Sequence, residues 1–199
     1  MRPATVSQVT TPVVYPLGLD DAKRHCGVIA DDHDETLSQL IIAATDYAET
    51  FTDRSFITRT WDVVFDAFPS GAVMYIPRPP LVDVESIVYL DASGASQTWD
   101  EAEYTVESAT GAMAQQGRVF LKAGGLWPLT QVTPGAVTIR YSAGYGTTAE
   151  SVPAIIKIAM LQWVADAWSL RGNTIVGTSV SPHSQVTDKL LTPFRSSWL

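Results

Sequence analysis

A proline-rich junction at residues 77–80 constrains the fold of this 199-residue chain more than any other stretch. Pro77-Arg-Pro-Pro80 joins a short apolar strand, Val73–Ile76, to a longer predicted strand, Leu81–Leu90. Each proline holds φ at about −65° and lacks a backbone donor, so these residues are excluded from a helix and from an inner strand. The residue before each proline is pushed into extended geometry. The stretch therefore predicts a stiff corner between two strands, which we favour over a polyproline ligand for another domain.

The composition permits a packed core and argues against several classes of function. Hydrophobic residues make up 46% of the chain and charged residues 17%, which is typical of a folded protein. The formal net charge of −8 argues against gripping nucleic acid by its phosphates, which requires clustered Lys and Arg. A single cysteine, Cys26, rules out an internal disulfide. The N-terminus lacks the apolar stretch of a signal peptide, and the charges of Lys157 and Asp166 make a membrane span at residues 152–170 costly.

The chain before the junction is expected to be an arm followed by two helices. Residues 1–16 hold three prolines among Thr and Val and predict an extended arm that is ordered only where something holds it. Leu19–Cys26 predicts a short helix with Gly27 as its stop. Residues 37–51 then carry apolar side chains at spacings of three, four and seven, which predicts an amphipathic helix of about four turns.

An acidic run precedes this second helix. Asp31–Glu35 has the composition of a metal site, but Asp32 is well placed as the N-cap of the helix. Glu35 follows three residues later, as in a capping box, and acidic residues also complement the helix dipole. A helix cap is therefore the favoured interpretation.

The apolar pattern changes to a period of two in residues 58–147. Seven short strands are predicted there, which indicates an antiparallel sheet or a small sandwich. In the longest strand, Leu81–Leu90, strict alternation puts Val84 and Ile87 on opposite faces. Gly124-Gly-Leu-Trp-Pro128 predicts a tight aromatic turn.

A third helix and a C-terminal tail follow the strands. Residues 151–172 carry apolar side chains in nearly every direction, so this helix is expected to pack on the second helix and to face another copy of the chain. The residues expected at that contact between copies are Ile155, Ile158, Trp163 and Trp168. Residues 173–199 begin polar and end on large apolar side chains, as a docking arm does. The docking residues expected in this tail are Leu190, Leu191, Phe194, Arg195, Trp198 and Leu199.

The sequence offers no clear catalytic, cofactor or metal site. Gly124-Gly125 and Gly144-Tyr-Gly146 lack the spacing, the lysine and the following helix of a phosphate-binding loop. His25 and Cys26 are adjacent, so they would point in different directions from a helix, and no later cysteine completes a metal set. The histidines do not follow strands in the way that the base of a catalytic triad usually does. We therefore expect no catalytic residues, no metal ligands and no cofactor.

These patterns together predict an α+β chain. Its predicted architecture is a small helical bundle, made of two N-terminal helices and one apolar C-terminal helix, with an inserted antiparallel β module and an extended C-terminal tail. The predicted parts are an extended N-terminal arm (1–16), a helical part (17–57), a β module (58–147), a helix completing the bundle (151–172) and a C-terminal docking tail (173–199).

The order of several short motifs along the chain resembles a known protein family, although none of them is diagnostic alone. The motifs are Leu19-Asp-Asp-Ala-Lys23, Leu40-Ile-Ile-Ala-Ala44, Tyr47-Ala-Glu-Thr-Phe51, Thr58-Arg-Thr-Trp61, Phe65-Asp-Ala-Phe-Pro69, Ile76-Pro-Arg-Pro-Pro-Leu81, Ser86-Ile-Val-Tyr-Leu-Asp91, Gly117-Arg-Val119, Trp127-Pro128, Val137-Thr-Ile-Arg140, Ala143-Gly-Tyr-Gly146, Val152-Pro-Ala-Ile-Ile-Lys157 and Pro193-Phe-Arg195. In this order they resemble the head–tail connector (adaptor, or head-completion) proteins of long-tailed bacteriophages and phage-derived gene transfer agents, over roughly residues 17–196. The proline-rich N-terminal arm departs from that pattern.

The resemblance implies a structural protein and not an enzyme. It implies a homo-oligomeric ring of twelve copies beneath the portal protein, which extends the DNA channel and offers an attachment platform to the next tail component. The tail residues given above would dock on the portal, in a virion or phage-like particle assembled in the bacterial cytoplasm. An acidic channel wall would repel DNA phosphates, so the duplex would pass without specific binding. Neither a cofactor nor a membrane is implied.

Two alternatives stay open on the sequence. One is the stopper or tail-completion protein one layer further down, and the other, of a different class, is a small hydrolase or nuclease, which would need converging acids or a metal. If the tail is only a docking arm, deletion of residues 186–199 should leave a folded protein that fails to join capsids.

Overall fold

The structure, a computed structural model, describes residues 3–170 and 184–196. These residues form two compact units. The β unit consists of residues 3–12, 53–145 and 196, and the helical unit consists of residues 13–52, 146–170 and 184–195. The chain is thus mixed α and β, as the sequence pattern predicts.

Eight strands of the described chain form two antiparallel sheets in the β unit. In chain order they are β1 (Thr5–Gln8), β2 (Arg59–Phe65), β3 (Val73–Ile76), β4 (Leu81–Leu90), β5 (Ser96–Thr98), β6 (Tyr104–Glu107), β7 (Gly117–Leu121) and β8 (Val137–Ala143). The larger sheet has the order β1-β2-β8-β4-β5, and the smaller sheet has the order β3-β7-β6. All seven strands predicted in residues 58–147 are present, and the eighth, β1, lies in the N-terminal arm.

The N-terminal arm is ordered where β2 holds it. β1 pairs with β2 in antiparallel register from Thr5↔Val64 to Gln8↔Trp61. Beyond β1, the backbone N–H of Thr60 donates to the Thr10 hydroxyl at 2.9 Å. The arm therefore contributes the edge strand of the larger sheet.

Two irregularities overturn the predicted alternation in β4. The register against β8 shifts between Leu81 and Asp83 and again between Val84 and Ser86. Each shift rotates the following residues relative to the sheet, as β-bulges do. Val84 and Ile87, which strict alternation put on opposite faces, are consequently both buried. The prediction of two regular faces for this strand was wrong.

One hydrophobic core contains side chains from both sheets. It is made mainly of aromatic and β-branched side chains, which suit closely packed strands. The buried members include Trp61, Val63, Phe65, Met74, Ile76, Leu81, Val84, Ile87, Trp99, Tyr104, Val119, Val137, Ile139 and Tyr141.

The proline-rich junction is the corner at which the chain passes from the smaller sheet to the larger one. β3, before the prolines, pairs with β7, whereas β4, after them, pairs with β8. The carbonyl oxygens of Pro79 and Pro80 accept hydrogen bonds from the N–H groups of Ser55 (3.3 Å) and Gly144 (2.9 Å). The guanidinium of Arg78 lies over the Trp61 ring, 5.2 Å from its centroid. The predicted structural corner is confirmed, but Arg78, which was expected to be extended because it precedes Pro79, has a left-handed φ of 58°.

The helical unit contains four α-helices in the described residues. They are α1 (Leu19–Cys26), α2 (Asp34–Thr52), α3 (Ala154–Leu170) and α4 (Ser184–Leu191), and a 3-10 turn, Thr192–Phe194, follows α4. α1 ends at Gly27, whose left-handed φ of 68° suits glycine, as predicted. α3 contacts each of the other three helices. In the part of the chain that the structure describes, no helix is long and apolar enough to cross a membrane.

The acidic run before α2 has a different role from the one predicted. α2 begins at Asp34, so Asp32 lies one residue too early to be its N-cap. Instead, Lys23 of α1 donates hydrogen bonds to the carboxylates of Asp31 (2.6 Å) and Asp34 (2.7 Å). These bonds raise the pKa of Lys23, and the same ammonium lowers the pKa of Asp31. The run therefore links the first two helices.

The end of the chain is also different from the prediction. Residues 184–194, expected to be part of an extended tail, are helical, and α4 packs on α2 and α3. Folding back in this way buries Leu191 and Phe194.

Candidate interaction surfaces

The exposed side of α3 is the first candidate surface. The opposite side is buried within the helical unit and includes Ile156, Met160 and Val164. Ile155 and Ile158 stay 48% and 55% exposed. These two side chains of α3 are therefore accessible to another protein.

The two tryptophans of α3 that were predicted to meet another copy are less exposed than Ile155 and Ile158. Trp168 is buried and its ring meets that of His33 edge-on, with the centroids 5.1 Å apart. Trp163 is half-buried and stacks on Tyr47 at 6.0 Å. Trp168 is therefore a core residue of this chain, and the accessible members of the predicted set are Ile155 and Ile158.

The C-terminal segment is held inside the helical unit by two buried side chains. Leu191 is fully buried and Phe194 is 2% exposed. The hydroxyl of Thr187 donates to the carbonyl oxygen of Ala159 in α3, at 3.4 Å. Leu191 and Phe194, both predicted to dock on a partner, are therefore part of the core of the helical unit.

A hydrogen bond also ties α4 to α2. The hydroxyl of Tyr47 donates to the carboxylate of Asp188. Burial, together with this bond, raises the pKa of Tyr47 to about 12. Tyr47 therefore keeps its proton, and its bond to α4, well above neutral pH.

The remaining predicted docking residues are more accessible or lie outside the residues that the structure describes. Leu190 is half-buried. Arg195 is exposed and its guanidinium lies over the Phe51 ring, 5.3 Å from the centroid. Trp198 and Leu199 fall outside the described residues.

The acidic side chains of the β unit form ordinary surface pairs. The guanidinium of Arg140 makes two hydrogen bonds of 2.8 Å to the carboxylate of Asp62. The hydroxyl of Thr60 donates to Glu85 at 3.2 Å. Asp91 accepts bonds from Ser93 and Gln97 in its turn, which lower its pKa to about 2. Across residues 3–170 and 184–196, no three His, Cys, Asp or Glu side chains are grouped closely enough to hold a metal ion.

One accessible surface was not anticipated. The segment Ala123–Ala136 was predicted only to contain an aromatic turn, yet Leu126 and Leu129 are 86% and 84% exposed, and Val132 is fully exposed. The signal available in the sequence was the absence of any charged residue across this segment.

One family model and several solved structures are similar to this chain. Residues 17–112 match the model of the phage gp6-like head-tail connector protein family. No curated protein sequence matches the chain significantly.

Solved structures share the fold along almost the whole chain. A chain from the neck of an empty gene transfer agent (GTA) particle, computed with C6 symmetry, has a TM-score of 0.77 and 20% identity, covering 98% of this chain and 97% of that one. A chain from the virion of a native GTA particle has a TM-score of 0.76 and 21% identity, covering 98% and 96%. A chain from the neck of a native GTA particle, computed with C12 symmetry, has a TM-score of 0.74 and 20% identity, covering 98% and 97%.

The stretch matched by the family model includes α1, α2 and the proline-rich corner, which also carried the resemblance in the sequence. Over residues 17–112 the chain is therefore similar to the phage gp6-like head-tail connector family, and over nearly its whole length it shares the fold of gene transfer agent particle components.

Proposed function

We propose that this chain is the adaptor of a phage-like particle: it forms a ring of twelve copies under the portal, extends the DNA channel and provides the attachment platform for the tail. The observation that carries the proposal is the family match, together with a fold shared over 98% of the chain with a component of a neck computed with C12 symmetry. The ring would be a component of the particle and would assemble in the bacterial cytoplasm.

The exposed side of α3 supports contact between copies in such a ring. A closed ring needs a head-to-tail contact, in which one surface of a copy meets a different surface of the next. Ile155 and Ile158 supply part of one such surface, because they are large apolar side chains exposed on α3, whereas Ile156, Met160 and Val164 are buried. Burying them between copies removes apolar area from water, which favours association.

The charge of the chain supports a channel that DNA crosses without being held. Each copy carries a formal charge of −8, so twelve copies carry 12 × −8 = −96. Acidic walls repel phosphates, whereas a protein that binds the duplex must neutralise them with Lys and Arg.

The C-terminal end is proposed to dock on the portal, but through fewer residues than the sequence suggested. Leu191 and Phe194 serve the core of the helical unit, so docking through them would require α4 to be released. Arg195 is exposed at the end of the described segment, and Trp198 and Leu199 follow it in the sequence. A docking tail of residues 195–199 keeps the core intact.

The proposal is tested by mixing the purified chain with purified portal and imaging the complex by cryo-electron microscopy. The expected result is a ring of twelve copies on one end of the portal, continuing its channel. A chain that never binds the portal or any portal-containing complex would contradict the proposed function.

A matched pair of variants tests the surface on α3. Ile155→Asp with Ile158→Asp should leave the melting temperature of the free chain nearly unchanged, because both side chains are already exposed, and should abolish the ring. Ile29→Asp, at a site 95% exposed and outside α3, is the control and should assemble normally. Normal rings from the double variant would remove α3 from the contact.

A shortened chain tests the docking tail. Deletion of residues 197–199 should leave the fold intact and weaken binding to the portal. The larger deletion of residues 186–199 no longer serves this purpose, since it would remove the buried Leu191 and Phe194 and destabilise the helical unit.

The stopper or tail-completion position, one layer further down, is the alternative within the same class. It predicts that the chain ignores bare portal and binds only portal that already carries an adaptor. Presenting both forms of portal to the chain separates the two positions.

A further inference from the structure

A loop in the β unit presents an apolar face to solvent. We call Ala123–Ala136 the 123–136 loop; its side chains Leu126, Leu129 and Val132 are almost completely exposed. Large apolar side chains that stand together in solvent mark a surface that another molecule covers. Isolated exposed apolar residues need no such explanation, but here three occur within seven positions of one loop.

An aromatic anchor holds the first part of this loop. The indole N–H of Trp127 donates to the carbonyl oxygen of Gly71 at 2.6 Å. Its ring stacks on Phe68, with centroids 5.1 Å apart and planes inclined by 12°, and also lies 5.1 Å from Trp99. Leu126 and Leu129 flank this anchor and are therefore held outside.

Backbone bonds hold the second part. Thr130 forms a β-bridge with Asp91, and the N–H of Gln131 donates to the carbonyl oxygen of Leu90 at 3.0 Å. Close to the end of the loop, the N–H of Gly135 donates to the carboxylate of Asp66 at 2.9 Å. A loop fixed at both parts loses little conformational entropy when it is covered, which favours binding.

The charge of the loop indicates what covers it. The chain carries a net charge of −8, but Ala123–Ala136 contains no charged residue. Identical acidic copies repel each other over most of their surfaces, and an uncharged apolar face is where they can approach without burying like charges. Beside Val132 a shallow groove of about 360 Å³, lined mainly by uncharged residues of the same loop, leaves room for side chains of the approaching copy.

We propose that the 123–136 loop is a contact between neighbouring copies of this chain, in which Leu126, Leu129 and Val132 pack on the next subunit. The inference rests on the proposed ring and deepens it. A head-to-tail ring needs two unlike surfaces on every copy, and the loop supplies an apolar surface separate in sequence from α3.

The first test compares two triple variants in ring assembly. Leu126→Ser, Leu129→Ser and Val132→Ser together should leave the melting temperature of the free chain unchanged and raise the concentration needed for half-maximal ring formation tenfold or more. Val9→Ser, Val82→Ser and Met113→Ser form the control, because these apolar residues of the β unit are also exposed but lie outside the loop. Equal assembly of both variants would overturn the inference.

The second test identifies the molecule that covers the loop. A photoreactive benzoylphenylalanine is placed at Leu129, and the full-length chain is illuminated in assembled particles and in concentrated solution. The expected product is a covalent dimer of this chain, with mass spectrometry locating the second end of the link. A link only to the portal or to a tail protein, or no link in either setting, would overturn the inference.

The two settings keep this inference distinct from the proposed function. A chain that cross-links to itself in solution but never enters particles would support the contact and contradict the adaptor role. A chain that enters particles as a ring without linking through position 129 would support the adaptor role and contradict the loop contact.

Discussion

Gly117 of β7 lies so close to Leu81 of β4 that a Cβ atom on the glycine would stand 2.5 Å from the Cβ of Leu81. β7 belongs to the smaller sheet and β4 to the larger, so this contact lies where the two sheets of the β unit meet. Gly117 is buried there, and Leu81 is part of the shared core. The absence of a side chain at residue 117 therefore permits the close approach between β7 and Leu81, the first residue of β4 after the proline-rich corner.

Gly117→Ala should destabilise the β unit by about 1–3 kcal/mol, because an added methyl group in a well-packed core forces its neighbours to move. Urea denaturation followed by tryptophan fluorescence measures the change. Gly71→Ala is the control: a Cβ there meets nothing within 4 Å, so its stability should change little. Equal stability of Gly117→Ala and the wild type would show that Leu81 moves aside freely.

Phe194→Ala should lower the free energy of unfolding by about 3–5 kcal/mol, since the side chain is almost completely buried in the helical unit. Thermal unfolding followed by circular dichroism reports the loss. Val186→Ala, on the exposed side of α4, should change stability by less than about 0.5 kcal/mol. Equal stability of the two variants would mean that Phe194 does not contribute to the core.

The link between Tyr47 and Asp188 should make stability sensitive to alkaline pH. Burial and the bond to Asp188 raise the pKa of Tyr47 from 10.0 to about 12, so the unfolded chain loses this proton at lower pH than the folded chain. The contribution of Tyr47 is therefore complete below pH 10 and is lost as the pH rises through 12. Tyr47→Phe should cost about 1 kcal/mol at pH 7 through the lost hydrogen bond.

Comparison of urea midpoints from pH 8 to pH 12 provides the measurement for this pair. The wild type should lose stability more steeply than Tyr47→Phe across the alkaline part of that range. Parallel curves would mean that the phenol and Asp188 are not coupled in solution.

Replacement of the two prolines of the corner should affect stability more than partner choice. Pro79→Gly with Pro80→Gly is expected to cost about 1–2 kcal/mol, because glycine widens the conformational freedom of the unfolded chain at both positions. Thermal unfolding and binding to the portal are measured on the same preparation. Selective loss of portal binding by a fully stable double variant would instead make the corner a docking site.

Much of the local structure could be predicted because it depends on short-range patterns. The prolines at residues 77–80 indicated a corner, Gly27 indicated a helix stop, and the change of period after residue 58 indicated seven strands. Each of these signals acts through the backbone of a few neighbouring residues. The order of motifs likewise indicated a head–tail connector, which the family match over residues 17–112 supports.

The surfaces were predicted less completely, because exposure depends on which distant segment packs on a residue. An apolar helix such as α3 does not reveal in its own pattern that Trp168 meets His33 while Ile158 stays in solvent. The sequence at the end of the chain is equally compatible with an extended arm and with a helix that folds back. Phe194 is buried because the chain folds back.

The amino-acid sequence by itself determined the α+β class, the corner at residues 77–80, the acidic charge and the positions of most helices and strands. Only the tertiary structure decided that β1 completes the larger sheet, that a register shift between Val84 and Ser86 places Val84 and Ile87 on one side, and which apolar side chains remain outside. The physical reason is that the first set follows from local backbone preference and composition. The second set follows from packing between segments that are tens of residues or more apart, where burial of apolar area selects among several arrangements that the local pattern allows.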